Sequence, residues 1–362
     1  MNDEQYMQLA LDLAKSAEGK TNPNPLVGAV IVKDGMIVGT GLHRKAGEPH
    51  AEVHAFNMAG EHAKGATLYV TLEPCSHFGK TPPCANLVKE SGVKRVVVAM
   101  QDPNPSVAGR GIRLLREAGI EVEVGVLEAQ AQRLNERFVH NMLTDMPFVV
   151  SKFAMTMDGK IATANGHSKW ITSEASRADV HQLRDRIDGI LVGVGTVLAD
   201  NPQLTTRLTD RQGKNPTRIV LDRQLRTPLQ AKIVDTSEAE TVIVTESTEA
   251  EKIATFEALG VTILQADLAD LGTVLKKLYK IGITDILVEG GGEVNASFLR
   301  AGLIQKFYVY MAPKLLGGRD SITPFTGDNV ASMDEALELR FAAVEMVGLD
   351  MKVTAYPKED VY

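Results

Sequence analysis

The sequence predicts two α/β domains in series, and three observations predict it. At 362 residues the chain exceeds what one hydrophobic core comfortably holds. Short β-branched runs alternate along it with segments of helical period, the pattern of a largely parallel sheet with helices on both faces. The alternation stops at Asp145-Met146-Pro147 and starts afresh at Phe148. Domains are therefore expected at 1–146 and 147–362.

Composition narrows the class. Hydrophobic content of 44% and charged content of 23% suit a soluble globular protein, and no apolar run is long enough to span a bilayer. A formal net charge of -7 argues against nonspecific nucleic-acid binding. The acidic start Met1-Asn2-Asp3-Glu4 has no apolar stretch behind it, so no secretory leader is expected. The two cysteines exclude a disulfide framework and point to a reducing cytoplasm.

In the first half, Tyr6, Ala10, Leu13, Ala14 and Ala17 recur at helical spacing from Asp3, and Gly19 stops the helix. Asn22-Pro23-Asn24-Pro25 is a turn-rich loop. A strand from Val27 to Lys33 returns through an Asp34-Gly35 hairpin along Met36 to Thr40. A helix is expected from Ala51 to Ala59, a strand from Thr67 to Leu72, and a helix capped by Thr81 with Pro82 in its first position. Lys94–Met100 and Ile120–Val124 read as strands, Gly111–Ala118 and Leu127–Val139 as helices.

Inside this half lies a metal-site pattern. Pro49-His50-Ala51-Glu52 is followed by Glu73-Pro74-Cys75 and, after eight residues, by Cys84. His50, Cys75 and Cys84 supply three zinc ligands and leave a fourth position for water, the layout of a catalytic site. His-x-Glu followed by Pro-Cys-x-x-Cys is the signature of zinc deaminases acting on nucleobases, with the Glu, here Glu52, as proton carrier; this chain matches both halves but sets its second Cys after eight residues instead of two. Residues two apart on a helix do not face each other, so His50 is expected just outside the helix that holds Glu52. A disulfide or two buried thiols is the plainer reading of the cysteines; their register with His-x-Glu argues against it.

In the second half, strands are expected at Phe148–Met155, Gly189–Val194, Thr217–Asp222, Thr241–Thr245, Thr284–Val288, Phe307–Met311 and Lys352–Tyr356. Helices are expected at Ser173–Arg186, Ala250–Leu259 and Leu271–Ile281, and a loop at Asp200–Arg207. Gly193-Val194-Gly195 opens like a dinucleotide fingerprint, but Leu198 stands at its third glycine position, so no such domain is assigned. Gly290-Gly291-Gly292 between a strand and a helix offers backbone N–H groups to a phosphate; a plain tight turn is the alternative. Trp170, the lone tryptophan, is either core or pocket lining.

Two sets of motifs carry a resemblance. Thr71-Leu72-Glu73-Pro74-Cys75-Ser76-His77, then Gly79, then Thr81-Pro82-Pro83-Cys84, resembles the deaminase half of the bifunctional riboflavin-biosynthesis deaminase/reductase family. The second half is similar to its reductase half. The matching segments are those from Met155 to Ala162, Ser168 to Thr172, Val192 to Thr205, Val288 to Gly291 and Ala312 to Gly318. The resemblance implies a cytidine-deaminase-like α/β/α domain followed by a dihydrofolate-reductase-like α/β domain. It implies Zn2+ and NADPH as cofactors, and a diaminopyrimidinone carrying a ribosylamino 5′-phosphate as substrate. The exocyclic amine would become oxygen, and the ribosyl group ribityl.

Carried onto matching positions, His50, Cys75 and Cys84 hold zinc and Glu52 moves protons, while Asn24, His43 and Lys80 touch the first substrate. Ala154, Trp170, Thr196, Asp200 and the run Gly291, Gly292, Glu293, Val294, Asn295, Ala296, Ser297 match cofactor positions. Ser168, Arg184, Leu204, Arg207 and Glu289 match substrate positions, with Lys152 adding charge. Arg184 and Arg207 suit a phosphomonoester, and Arg223 is placed to meet a 2′-phosphate. Asp200 or Glu289 would assist with protons.

Three other readings remain at this point: a zinc deaminase with a mere binding domain; a structural zinc completed by His77 or His54; and a nucleic-acid deaminase, against which the acidic balance counts. The sheet-edge strands of the second half lead us to expect a homodimer or larger.

Overall fold

A computed structural model describes residues 1–76, 83–105, 107–327 and 330–358. They form two compact units, one of Met1–Asp145 and one from Met146 onward. No helix among the described residues is long and apolar enough to cross a membrane.

The first unit contains α1 (Asp3–Lys15), β1 (Gly28–Lys33), β2 (Met36–Leu42), α2 (Ala51–Ala59), β3 (Thr67–Leu72), α3 (Cys84–Glu90), β4 (Arg95–Met100), α4 (Arg110–Glu117), β5 (Glu121–Val124), α5 (Glu128–Leu134) and α6 (Glu136–Thr144). Its sheet runs β2-β1-β3-β4-β5, antiparallel at the hairpin and from β1 to β3, parallel thereafter. α1 starts with a capping box in which Asn2 and Gln5 each satisfy the other's backbone N–H. Its Tyr6, Met7, Ala10 and Leu11 pack into the core with Val30, Ile31, Leu68 and Val97, and Ala14 packs with Ala17 and Leu26.

Two glycines decide where α2 sits. A Cβ on Gly41 would lie 2.1 Å from Ala51 O, and one on Gly39 would lie 2.3 Å from Ala55 O. The helix therefore rests backbone-to-backbone on β2, which fixes the height of its first turn above the sheet.

The second unit contains β6 (Phe148–Thr156), α7 (Glu174–Arg186), β7 (Gly189–Gly193), α8 (Val194–Asp200), β8 (Thr217–Leu221), β9 (Thr241–Thr245), α9 (Ala250–Ala258), β10 (Thr262–Gln265), α10 (Leu271–Lys280), β11 (Asp285–Val288), α11 (Gly292–Arg300), β12 (Lys306–Ala312), β13 (Leu339–Val347) and β14 (Asp350–Pro357). Its sheet order is β10-β9-β8-β7-β11-β6-β12-β14-β13. All neighbours through β12 are parallel, and the last two strands are antiparallel. Apolar side chains fill both faces, Val149, Leu191 and Ile286 in one cluster and Ile190, Val192 and Val220 in another.

Several expected boundaries move. The helix expected at 127–139 is broken at Asn135 (φ -107°, ψ 22°). Asn135 Oδ1 accepts from Leu26 N–H (2.8 Å) and its Nδ2 donates to Leu26 O (3.0 Å), so a distant loop takes the residue out of the helix. Between the strand expected to end at Val194 and the loop expected from Asp200 lies the helix α8, whose Gly193 cap is extended. α3 begins at Cys84 after a Pro83 cap; Thr81 and Pro82 lie outside the described residues. β10 and β13 have no counterpart in the sequence reading. β13 is exposed on nearly every residue, so no buried face imprints an alternation on it.

Candidate functional site

The first unit brings its three candidate ligands together at the ends of three elements. His50 is the extended cap of α2 (φ -72°, ψ 166°), outside the helix, and Glu52 lies in the first turn. Cys75 follows β3 and Cys84 opens α3. His50 Nδ1 lies 3.6 Å from Cys75 Sγ and 3.3 Å from Cys84 Sγ. A tetrahedral zinc, with bonds of about 2.3 Å to sulfur and about 2.0–2.1 Å to nitrogen, sets such edges near ~3.6 Å. The donor set fits that ion. Among the described residues, this triad is the one group of His, Cys and acidic side chains close enough to hold a metal. His54 is not part of it, and His77 lies outside the described residues.

The amide groups that open α3 are turned onto Cys75. Cys84 N–H donates to Cys75 Sγ (3.2 Å) and Ala85 N–H to Cys75 O (3.1 Å). The hydrogen bond from the Cys84 thiol, then His50, pulls Cys75 down to about 4, whereas the Cys75 sulfur and burial push Cys84 up. The amides that open α3 thus favour a thiolate at Cys75. A dication at the centre of the triad would hold both sulfurs as thiolates.

Glu52 is buried, and burial raises its carboxyl above the ordinary range. Its Oε2 is out of contact with solvent and has no hydrogen-bond partner among the described residues. A cavity of about 530 Å³ opens beside it, lined by Asn24, His43, His50, Cys75 and Asp102 among others. Asn24 Nδ2 donates to His43 Nε2 (3.1 Å), which leaves the Nδ1–H of His43 facing Pro49 O (3.3 Å). Lys80 lies outside the described residues.

The second unit gathers charge from strands and helices far apart in sequence. Arg184, in the last turn of α7, donates from Nε to Glu289 Oε1 (2.8 Å) and from Nη2 to Oε2 (2.9 Å). Its Nη1 donates to Thr205 O (3.0 Å), so the guanidinium grips protein before any phosphate. Lys152 Nζ is 3.8 Å from Glu289 Oε2. Burial would raise Glu289, but Arg184 and Lys152 overcome it and hold the carboxyl at about 2. A carboxylate held that low donates no proton near neutrality. Asp200, the other proposed proton source, is exposed at the end of α8.

His181, one turn before Arg184, went unnoticed in the sequence. Its Nδ1 accepts from Arg207 N–H (3.2 Å), and burial followed by the Arg184 and Arg207 charges lowers it to about 4. Its spacing from Arg184 on one helix face was the signal available. Arg207 is exposed, with Nη1 donating to Gln203 Oε1 (3.2 Å), and Leu204 is buried beneath the same loop. Lys152, Arg184 and Arg207 against Glu289 leave the cluster cationic.

The cofactor candidates separate into those brought together and those turned away. Gly291 N–H donates to Thr196 Oγ1 (3.1 Å), joining the glycine run to α8. The N–H groups of Gly292 and Glu293, opening α11, find no acceptor among the described residues and are left as donors at a helix N-terminus. Val294 packs so close that a Cβ on Gly193 would lie 2.7 Å from it. Asn295 Nδ2 donates to Pro324 O (3.0 Å), Ala296 is buried, and Ser297 Oγ turns back to Glu293 O (2.8 Å). These three can offer a ligand little but backbone.

Trp170 is 64% exposed with the Arg177 guanidinium 4.5 Å from its ring centre, so it is not core. Ala154 and Ser168 are half-buried on β6 and in the approach to α7. Arg223 is an exposed residue paired with Glu246 (3.1 Å). Asp158, which stands in a quoted motif, had no role assigned to it from the sequence. Its carboxylate accepts from Thr156 Oγ1, Leu316 N–H and Gly317 N–H, tying two of the matching segments together.

Comparison with known proteins gives two family matches. Residues 147–353 match the RibD C-terminal domain, and residues 1–100 match the cytidine and deoxycytidylate deaminase zinc-binding region. The riboflavin biosynthesis protein RibD of Bacillus amyloliquefaciens is 49% identical, over 99% of both chains. RibD of Acinetobacter baumannii superposes with a TM-score of 0.89 at 42% identity, covering 99% of each chain. A diaminohydroxyphosphoribosylaminopyrimidine deaminase/5-amino-6-(5-phosphoribosylamino)uracil reductase from Thermotoga maritima superposes at 0.86 with 40% identity, covering 98% of each.

Proposed function

The chain belongs to the RibD family of riboflavin biosynthesis, and from that premise we propose how its residues divide the work. It is a deaminase and a reductase, a hydrolase in its first unit and an oxidoreductase in its second. The substrate is 2,5-diamino-6-ribosylamino-4(3H)-pyrimidinone 5′-phosphate. His50, Cys75 and Cys84 hold zinc. When bound, zinc acidifies water so that a strong nucleophile exists near neutral pH.

Glu52 is the proton carrier, and its unpartnered Oε2 is the observation that carries this reading. A buried carboxylate with a free oxygen would take one proton of the water and give it to a ring nitrogen, then take the second from the added hydroxyl and give it to the amine, which leaves as ammonia as the carbonyl forms. Burial, by raising its proton affinity, suits it to both transfers. Asn24 and His43 line the cavity where the pyrimidine edge would be read, and the family resemblance adds Lys80 as a substrate contact.

In the second unit, NADPH supplies the hydride that turns the ring-opened ribosyl C1′ into the ribityl carbon. The opening N–H groups of α11, with Thr196 and Gly291 beside them, take a phosphate of the cofactor, and Trp170 and Ala154 line its course. Arg223 selects the 2′-phosphate by leaving Glu246 for it. Arg207 reaches the substrate phosphate, while Lys152, Arg184 and Glu289 fix the sugar and Ser168 and Leu204 close around it. Catalysis is then mainly orientation. With Glu289 held ionised, Asp200 is the better placed proton source.

We further expect a cytoplasmic homodimer or larger. β13 ends the sheet with Phe341, Val344 and Met346 all exposed, and an apolar edge strand of that kind calls for a second copy. The test of the whole reading is a mass spectrum of products after incubation with the diaminopyrimidine phosphate and NADPH. Both the amine-to-oxygen exchange and two added hydrogens are expected. Exchange alone would reduce the second unit to a binding domain, and unchanged substrate with zinc present would overturn the substrate assignment.

A further inference from the structure

Glu73 stands between the end of β3 and the ligand Cys75, and it is 5% exposed. Its carboxylate accepts four backbone N–H groups. Oε1 takes those of Gly111 (2.8 Å) and Ile112 (3.3 Å), and Oε2 those of Gly109 (2.9 Å) and Asp102 (3.2 Å). Its own N–H donates to Met100 O (3.0 Å).

Three of those donors, Gly109, Gly111 and Ile112, belong to one structural problem. α4 is capped by Gly109 in a left-handed conformation, and glycine has no side chain with which to satisfy the first turn. Glu73 supplies the missing acceptor from another element, and a carboxylate suits the positive end of a helix. The segment it holds carries Asp102, Asn104 and Val107, which form one wall of the cavity beside Glu52. Gly111 makes the contact intimate, since a Cβ there would lie 2.1 Å from Pro74 O and 3.2 Å from Glu73 Oε1.

We propose that Glu73 is a positioning residue for the deamination: one side chain locks the pocket wall formed by Asp102, Asn104 and Val107 to the corner that carries Cys75. The substrate is thereby held at a fixed place relative to Glu52. The inference rests on the first unit being the deaminase. A pocket wall that shifts by a fraction of an ångström weakens substrate binding before it disturbs the metal.

The test uses the full-length, zinc-loaded chain with the diaminopyrimidine phosphate. Glu73→Gln turns an amide NH2 toward two backbone N–H groups. It is expected to raise the deaminase KM by about tenfold or more, with zinc still one per chain and reduction of the deaminated intermediate at the parental rate. Gly111→Ala leaves Glu73 intact but pushes the same wall off Pro74, and the same rise in KM is expected. Should Glu73→Gln give no soluble chain, the KM of Gly111→Ala decides.

Parental KM values overturn the proposal. So does a loss confined to zinc content or kcat, which would place Glu73 on the metal corner alone. A parental chain that deaminates while both variants are silent sinks this inference only. A parental chain that does not deaminate sinks the reading beneath it as well.

Discussion

The zinc triad and the cationic cluster of the second unit are built on opposite plans. The triad's farthest members are 34 positions apart, and each sits at the end of a helix or strand. The cluster joins residues such as Arg184 and Glu289, 105 positions apart, from strands and helices that only the closed sheet makes neighbours. The difference follows from what each centre must do. A metal tolerates errors of tenths of an ångström in its ligands, so the donors are fixed by short, stiff connections. Hydride transfer asks for orientation of two large molecules, and long-range charge provides that.

The comparison is broken first at Glu52. Glu52→Gln is expected to keep zinc and lose about 100- to 10,000-fold in deamination, while reduction of supplied intermediate proceeds at the parental rate. Deamination at the parental rate would remove Glu52 from its role, and a slowed reduction would end the separation of the two centres.

The second centre breaks differently, through stability. Arg184→Ala strips buried Glu289 of its bidentate partner and leaves it only Lys152 at 3.8 Å, at a cost of about 3 kcal/mol. Urea unfolding followed by fluorescence reads this directly, because Trp170 is the only tryptophan and lies in the second unit. An unchanged midpoint would show that the pair carries no net stability. Arg207→Ala, at an exposed position, should instead spare stability and raise the reductase KM for phosphorylated substrate by about 10- to 100-fold. An unchanged KM would take Arg207 out of the phosphate site.

The smallest expected effect is on pH dependence. His181 has a folded value of about 4 against an ordinary 6.5, so between those values the unfolded chain binds more protons. Stability of the second unit therefore falls as pH drops through that window. Glu289 adds the same sign lower down, its contribution present above 4.5 and lost toward about 2. Thermal unfolding monitored at Trp170 should show a declining midpoint from pH 6.5 to 4, and His181→Asn should flatten that limb. An identical slope in the variant would exclude His181 as its source.

The two plans also explain what could be read without a structure. The triad and Glu52 were legible because metal chemistry dictates residue type and spacing together, and the extended position of His50 followed from the geometry of a helix. The strand–helix alternation carried the layer architecture for the same reason, since a periodicity is a local property. β13 escaped because a strand without a buried face leaves no pattern, and α8 because its glycines read as a strand end. The break at Asn135 was invisible because its cause, Leu26, lies 109 positions away.

By itself, then, the sequence determined the order of the two units and picked out His50, Cys75 and Cys84, which the structure brings together beside buried Glu52; all of these rest on short-range constraints. Tertiary structure alone decided which charges meet. It turned Arg184 onto Glu289, kept Arg223 at the surface, sent the side chain of Asn295 into the protein and set Glu73 beneath the wall of the pocket. Pairing between distant groups depends on how strands order themselves in a sheet, and no local run of residues encodes that order.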